Sequence, residues 1–149
     1  MKFFVLAALL CLNLTPSQTI YESLESGFLG ATRELKIQLP RNYEDNPEKY
    51  YPLIIVFDGD YLFEVVAGNV DYYSYWEDMP EAIVVGVNQT GSRAQDCNIS
   101  LENYMPSKTG AQFYDFIENE LLIYMSENYR SLNFRVAVGH GETANFMNY

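Results

Sequence analysis

The run Leu53-Ile54-Ile55-Val56-Phe57-Asp58-Gly59-Asp60 is apolar over five residues and then becomes polar at once. An apolar run of strand length with no polar face is typical of a central parallel strand that helices cover on both sides. The Asp58-Gly59-Asp60 segment predicts a turn at the end of that strand. This stretch therefore favours an α/β fold over a sheet with one solvated face.

Two further apolar runs, at residues 82–87 and 134–138, predict two more strands of the same kind. Between the three runs, apolar residues recur at helical spacing over residues 62–76 and 113–124. Thr109 with Gln112 predicts a capping box at the start of the second helix. Strand, helix, strand, helix, strand is an α/β order, and right-handed crossovers would place these strands parallel.

The segments around this core predict an additional strand and a loop. Residues 33–39 alternate between polar and apolar, which predicts an outer, antiparallel strand with one wet face. The polar stretch from Asn88 to Gly110 predicts a long loop on the functional side of the sheet.

The amino terminus has the pattern of a secretory signal peptide. Lys2 is followed by an apolar run that ends at Leu14 and is too short to span a bilayer comfortably, and Thr15-Pro16-Ser17 offers small residues for cleavage. We expect residues 1–17 to be removed and residues 18–149 to form one domain that is incomplete at its carboxyl end. The mature chain is expected to be periplasmic or secreted, in a bacterial context, with no membrane span.

Composition excludes several function classes. The 149 residues carry a formal charge of -11 from 9 basic and 20 acidic residues, which argues against nucleic-acid binding. After signal cleavage Cys97 is the only cysteine, so no internal disulfide is expected. One histidine cannot supply the usual zinc patterns, and we expect neither a metal nor a cofactor. The sequence indicates no oligomeric state.

Four segments together resemble the putative esterase family of the α/β-hydrolase superfamily, which includes esterase D and the enterochelin esterases. Arg33 to Pro40 is similar to the opening strand of that family, and Tyr51 to Asp60 to its next strand with an Asp-Gly turn. The other segments are Ile83 to Asn88 with Arg93 and Asp96 after it, and Phe116 to Leu121 with Tyr129-Arg130 and Val138-Gly139-His140. The resemblance implies the amino-terminal strands and helices of an α/β-hydrolase fold, up to the turn that carries the nucleophile.

Serine-dependent hydrolysis of a small-molecule carboxylic ester is the reaction that the resemblance implies. The nucleophile turn has the pattern G-x-S-x-G, and here its positions are occupied by Gly139, His140, Gly141, Glu142 and Thr143. Gly141 replaces the serine, so no covalent acyl intermediate is expected. Thr143 is bulkier than the usual glycine, which leaves the tightness of the turn open.

The resemblance also implies where the remaining catalytic groups lie. The oxyanion hole would be formed by backbone amides, one near Gly59 and Asp60 and the other at Glu142. The acid and the histidine of the triad would lie beyond Tyr149, so the chain as written is expected to be inactive. The alternatives are a truncated or mutated reading frame from an active relative, and a non-catalytic secreted binding protein that keeps the fold.

Two further alternatives concern individual segments. Gly139-x-Gly141-x-x-Ala144 after a strand also satisfies the phosphate-binding pattern of a dinucleotide-binding module. Against this hypothesis, the acidic residue that normally follows about 20 positions later would lie beyond the end of the chain. Arg93 and Asp96 either form a pair that orders the loop or contact an acyl group.

Overall fold

A computed structural model describes residues 19–149, so the signal peptide predicted over residues 1–17 lies outside the described residues. In chain order the elements are β1 (Thr19–Ser26), β2 (Ala31–Gln38), β3 (Tyr51–Val56), α1 (Phe63–Tyr75), β4 (Ile83–Val87), α2 (Arg93–Asp96), α3 (Thr109–Phe116), a π-helical turn (Ile117–Leu121), α4 (Leu122–Asn128), β5 (Ser131–Val138) and α5 (Glu142–Phe146). None of the helices in this part of the chain is long and apolar enough to cross a membrane.

The strands form one mixed sheet in the order β1-β2-β4-β3-β5. β3 is parallel to both of its neighbours, with Ile55 opposite Val85 on β4 and Ala137 on β5. β2 is antiparallel to β1 and to β4. The sheet and its helices confirm the α/β class, and the three apolar runs are the three parallel strands, as predicted.

The amino-terminal edge of the sheet differs from the prediction. Residues 33–39 were expected to form an outer strand, but β2 lies between β4 and β1, and β1 is the edge strand. The sequence of β1 alternates only weakly, because the polar residues Glu22 and Ser26 share the inward face with Ile20 and Leu24. Sequence periodicity therefore missed it.

The core has one layer on each face of the sheet. On one face, Phe113, Phe116, Leu121 and Met125 are completely buried against the strands. On the other face, α1 buries one stripe of side chains made of Phe63, Ala67 and Val70.

The start of α3 does not use the predicted capping box. Lys108 occupies the N-cap position at a φ of 51°, and no side chain caps the helix. Thr109 is the first helical residue instead, and its hydroxyl donates to the carbonyl of Gln95 at 2.7 Å. The hydroxyl is used to hold the preceding loop, which contains the short helix α2, against α3.

β5 is more exposed than its apolar sequence predicts. Every residue of this strand is either exposed or half-buried, and Phe134 keeps 64% of its surface accessible. Within residues 19–149, β5 pairs only with β3, so its outer edge carries no further strand. Its apolar side chains are therefore left without the cover that a central strand receives.

Candidate active site

Three turns meet at one edge of the sheet because β3, β4 and β5 run parallel and end side by side. The amide of Phe57 donates to the carbonyl of Val138 at 2.8 Å, which joins the turn after β3 to the end of β5. The amide of Asp58 donates to the side-chain oxygen of Gln89, just after β4, at 2.9 Å. The site residues predicted from the sequence lie in the first and third of these turns.

The turn after β5 has the backbone of a strand-to-helix elbow. Gly141 lies at φ 63° and ψ -115° and immediately precedes α5. A Cβ atom on Gly139 would lie 2.8 Å from the hydroxyl of Thr143, so strand and helix approach too closely for a side chain there. The strand and the helix therefore approach closely at this turn, although the serine of the G-x-S-x-G pattern is absent.

Thr143 fits into the elbow through its hydroxyl group. The side chain is 1% exposed, and its Oγ1 atom accepts a hydrogen bond from the amide of His140 at 2.8 Å. The same hydroxyl lies 2.8 Å from a carboxylate oxygen of Asp58, to which it donates. The additional bulk of a threonine is thus accommodated, and the hydroxyl links the elbow to the turn after β3.

Arg93, the first residue of α2, reaches both turns. Its Nε and Nη2 atoms donate to the two carboxylate oxygens of the buried Asp58, at 2.6 and 3.3 Å. Nη2 also donates to the carbonyl of His140 at 2.7 Å, and Nη1 donates to the carboxylate of Glu142 at 2.9 Å. The hydrogen bond to Asp58 raises the pKa of Arg93 above its ordinary value, so this guanidinium remains charged.

Asp96 belongs to a second ion pair and not to a pair with Arg93. Its carboxylate accepts hydrogen bonds from Arg33 at 2.5 Å, from Ser92 at 2.8 Å and from Gln89 at 3.1 Å. Burial raises the pKa of Asp96, and the hydrogen bonds and the Arg33 charge oppose that rise. Arg93 and Asp96 both order the loop after β4, but each does so through a partner from another segment.

The amides predicted for the oxyanion hole are not equivalent. The Gly59 amide donates to the carbonyl of Val87 at 2.9 Å, so it is already engaged. Among residues 19–149, no acceptor is bonded to the amide of Asp60 or to that of Glu142. A Cβ atom on Gly59 would lie 2.7 Å from the backbone of β4, which makes this glycine a requirement of the close approach.

Gln89 is a site residue that the sequence reasoning missed. It is 1% exposed, and its side-chain amide connects the backbone of Asp58 to the carboxylate of Asp96. Its position in the sequence could have indicated this role. A polar residue within two residues of the end of a buried parallel strand lies at the edge of the sheet where such strands end.

The cavities near the elbow are small. One of about 190 Å³ is lined by Ala94, Cys97, Ile99, Glu142 and Asn145. Burial raises the pKa of the Cys97 thiol to about 11, so the thiol is protonated near neutral pH and is a poor replacement for the serine. A larger cavity, about 730 Å³, lies elsewhere, between residues 41–49 and 74–81 at the opposite ends of the strands.

One family model matches most of the chain. The family model described as Putative esterase matches residues 26–143. A comparison with curated proteins finds no match.

Among solved structures, an uncharacterised protein from Capnocytophaga ochracea is 31% identical, with a TM-score of 0.81 over 89% of this chain and 36% of that one. An IroE-like serine hydrolase from Shewanella oneidensis is 24% identical, with a TM-score of 0.74 over 87% of this chain and 44% of that one. The enterobactin esterase from Shigella flexneri, solved in the presence of enterobactin, is 18% identical, with a TM-score of 0.68 over 87% of this chain and 32% of that one. The chain thus spans less than half of the length of these three structures.

Proposed function

The chain belongs to the putative esterase family, and we propose that residues 18–149 are the amino-terminal part of an α/β-hydrolase fold built for serine-dependent hydrolysis of carboxylic esters. The family match, the elbow after β5 and the unengaged amides beside it support this proposal. The neighbours include an enterobactin esterase and a ferulic acid esterase, whose names indicate different esters. We therefore propose the carboxylic ester as the substrate class and no particular acyl group.

We further propose that this chain does not carry out the reaction. In ester hydrolysis by this route, a serine oxygen attacks the carbonyl carbon, and backbone amides stabilise the oxyanion that forms. The amides of Asp60 and Glu142 could do the second task, but Gly141 has no oxygen for the first. The observation that carries the proposal is the elbow backbone of Gly141, at φ 63°, with no side chain on it.

The general base is also missing from the elbow in the described part of the chain. His140 is the only histidine of the sequence, and its side chain is exposed. Its backbone amide and carbonyl are bound by Thr143 and Arg93. Because triad members act as a unit, we expect that restoring the serine alone does not restore a triad.

The second candidate function is ligand binding without catalysis, by an exported protein that keeps the fold. It is supported by the same turn, because the elbow backbone and its hydrogen bonds persist without the serine. We consider a dinucleotide less compatible with this turn. A phosphate at the start of α5 would meet the carboxylates of Glu142 and Asp58, which surround Arg93 there.

The catalytic proposal is tested with p-nitrophenyl butyrate and a fluorophosphonate label on purified residues 18–149. We expect no burst of p-nitrophenol and no steady rate of its release above that of the heat-unfolded protein. We also expect no fluorophosphonate label on either the parent chain or its Gly141→Ser variant. A steady rate that is lost on unfolding but persists in Ser92→Ala and Ser107→Ala variants would show that another group performs the chemistry.

A further inference from the structure

The guanidinium of Arg93 contacts two chain segments that are distant in sequence. It binds both carboxylate oxygens of Asp58 after β3, and it binds the His140 carbonyl and the Glu142 carboxylate on either side of Gly141. Asp58 is only 1% exposed and also accepts from Thr143. The hydrogen bonds to the buried Asp58 therefore fix the position of Arg93, and Arg93 in turn binds the elbow.

The backbone of the elbow is intrinsically unfavourable for residues other than glycine, so a residue that fixes it would matter for any side chain placed there. Position 141 lies at positive φ, which only glycine adopts without cost. There is nevertheless room for a side chain at this position. A Cβ atom on Gly141 would be in ordinary contact with Arg93, 3.5 Å from its Nη2 atom. Any side chain placed there would face the guanidinium.

We propose that Arg93 is the positioning residue of the elbow: it holds position 141 at positive φ and places a positive charge beside the side chain of that position. The proposal rests on the proposed function only in treating position 141 as the nucleophile position. The charged groups that surround the position are the carboxylates of Asp58 and Glu142 and the guanidinium of Arg93, with the imidazole of His140 next to it in sequence.

A double-mutant cycle tests whether Arg93 imposes the backbone conformation. In the parent protein, Gly141→Ala should raise the unfolding equilibrium constant about tenfold, because alanine is strained at positive φ. In an Arg93→Met background the turn can relax, so the same change should raise it much less.

Two controls accompany the cycle. Gly30 lies at φ 60° with nothing within 4 Å of its Cβ position, so the cost of Gly30→Ala should be the same in both backgrounds. Arg33→Met removes the other guanidinium of the network, which binds Asp96 and not the elbow, and should leave the cost of Gly141→Ala unchanged. An undiminished cost of Gly141→Ala in the Arg93→Met background would overturn the positioning role.

An introduced thiol tests the charge. In a Cys97→Ser background, the Gly141→Cys variant carries a single thiol after signal cleavage, and the pH dependence of its alkylation by iodoacetamide gives its pKa. We expect Arg93→Met to raise that pKa by about one unit, because a cation is removed and the nearby carboxylates remain. Arg33→Met is the matched control and should not shift it. An unchanged pKa after Arg93→Met would overturn the proposal even if that variant folds normally.

Neither experiment depends on catalysis. If the elbow proves to be coupled to Arg93 while the folded chain hydrolyses p-nitrophenyl butyrate, the positioning role stands and the proposal of an inactive chain fails. If the chain is inactive and the elbow proves not to be coupled to Arg93, the proposed function stands and the positioning role fails. If Arg93→Met does not fold, Arg93→Lys takes its place, because lysine can reach only one of the partners that the guanidinium fork binds together.

Discussion

Among individual residues of the site, those of the turn after β3 are fixed both by close backbone approach and by side-chain hydrogen bonds. The turn after β3 lies against the end of β4, where the amide of Gly59 bonds to the carbonyl of Val87. Asp58, the residue before it, adopts a φ of 54°, which is unusual for a residue with a side chain. Its backbone and carboxylate are both hydrogen-bonded to neighbouring segments, and these bonds offset the strain.

Two glycine substitutions should have opposite effects on the free energy of unfolding. Gly59→Ala places a Cβ 2.7 Å from two backbone atoms of β4 and should destabilise by about 1–3 kcal/mol. Gly68 lies within α1 with nothing near its Cβ position, so Gly68→Ala should stabilise by about 0.5–1 kcal/mol. Urea unfolding of both variants measures the difference. If Gly59→Ala left the free energy of unfolding unchanged, the turn would have to be able to move away from β4.

Among the elements, β1 and α4 are linked by one carboxylate. Glu22 on β1 accepts hydrogen bonds from the hydroxyl groups of Tyr124 and Tyr129, the latter at 2.8 Å. Burial, with the hydrogen bond to Glu22 as a further cause, raises the pKa of Tyr124 from 10.0 to about 12, and the pKa of Tyr129 rises for the same reasons. This link attaches the edge strand to the helical layer.

The link predicts a loss of stability at alkaline pH. A tyrosine with a raised pKa in the folded state contributes fully below pH 10.0 and loses that contribution as the pH rises towards about 12. In Glu22→Gln the two tyrosines should ionise at lower pH, which a tyrosinate absorbance titration measures. Glu25→Gln, on an exposed position of the same strand, is the control. Identical titrations for both variants would contradict the link.

For the molecule as a whole, the described sheet is covered unevenly. The central strands β3 and β4 are almost completely buried. β5, at one edge, exposes Leu132, Phe134 and Val136. Apolar edge strands are common sites of association between chains, since their unpaired backbone groups accept another strand.

Association through β5 is therefore expected at high concentration. Phe134→Lys should reduce the concentration-dependent light scattering of purified residues 18–149, because a charge on an edge strand opposes pairing, while the free energy of unfolding changes by no more than about 0.5 kcal/mol. Tyr21→Lys is the control, because Tyr21 is 72% exposed on β1 at the opposite edge. Equal reductions of the light scattering by the two variants would show that β5 is not the site of association.

The sequence by itself determined the α/β class, the three parallel strands, the family and the turn in which glycine replaces serine. These follow from local signals. Apolar runs and helical spacing indicate directly which residues are buried, and the sequence itself shows that position 141 carries no nucleophilic side chain. Only the tertiary structure decided that Arg93 pairs with Asp58 and Asp96 with Arg33, that Gln89 connects the two pairs, and that the Gly59 amide is engaged. Partners 35 to 63 residues apart leave no periodic signal, because the pairing depends on where parallel strands bring their ends together.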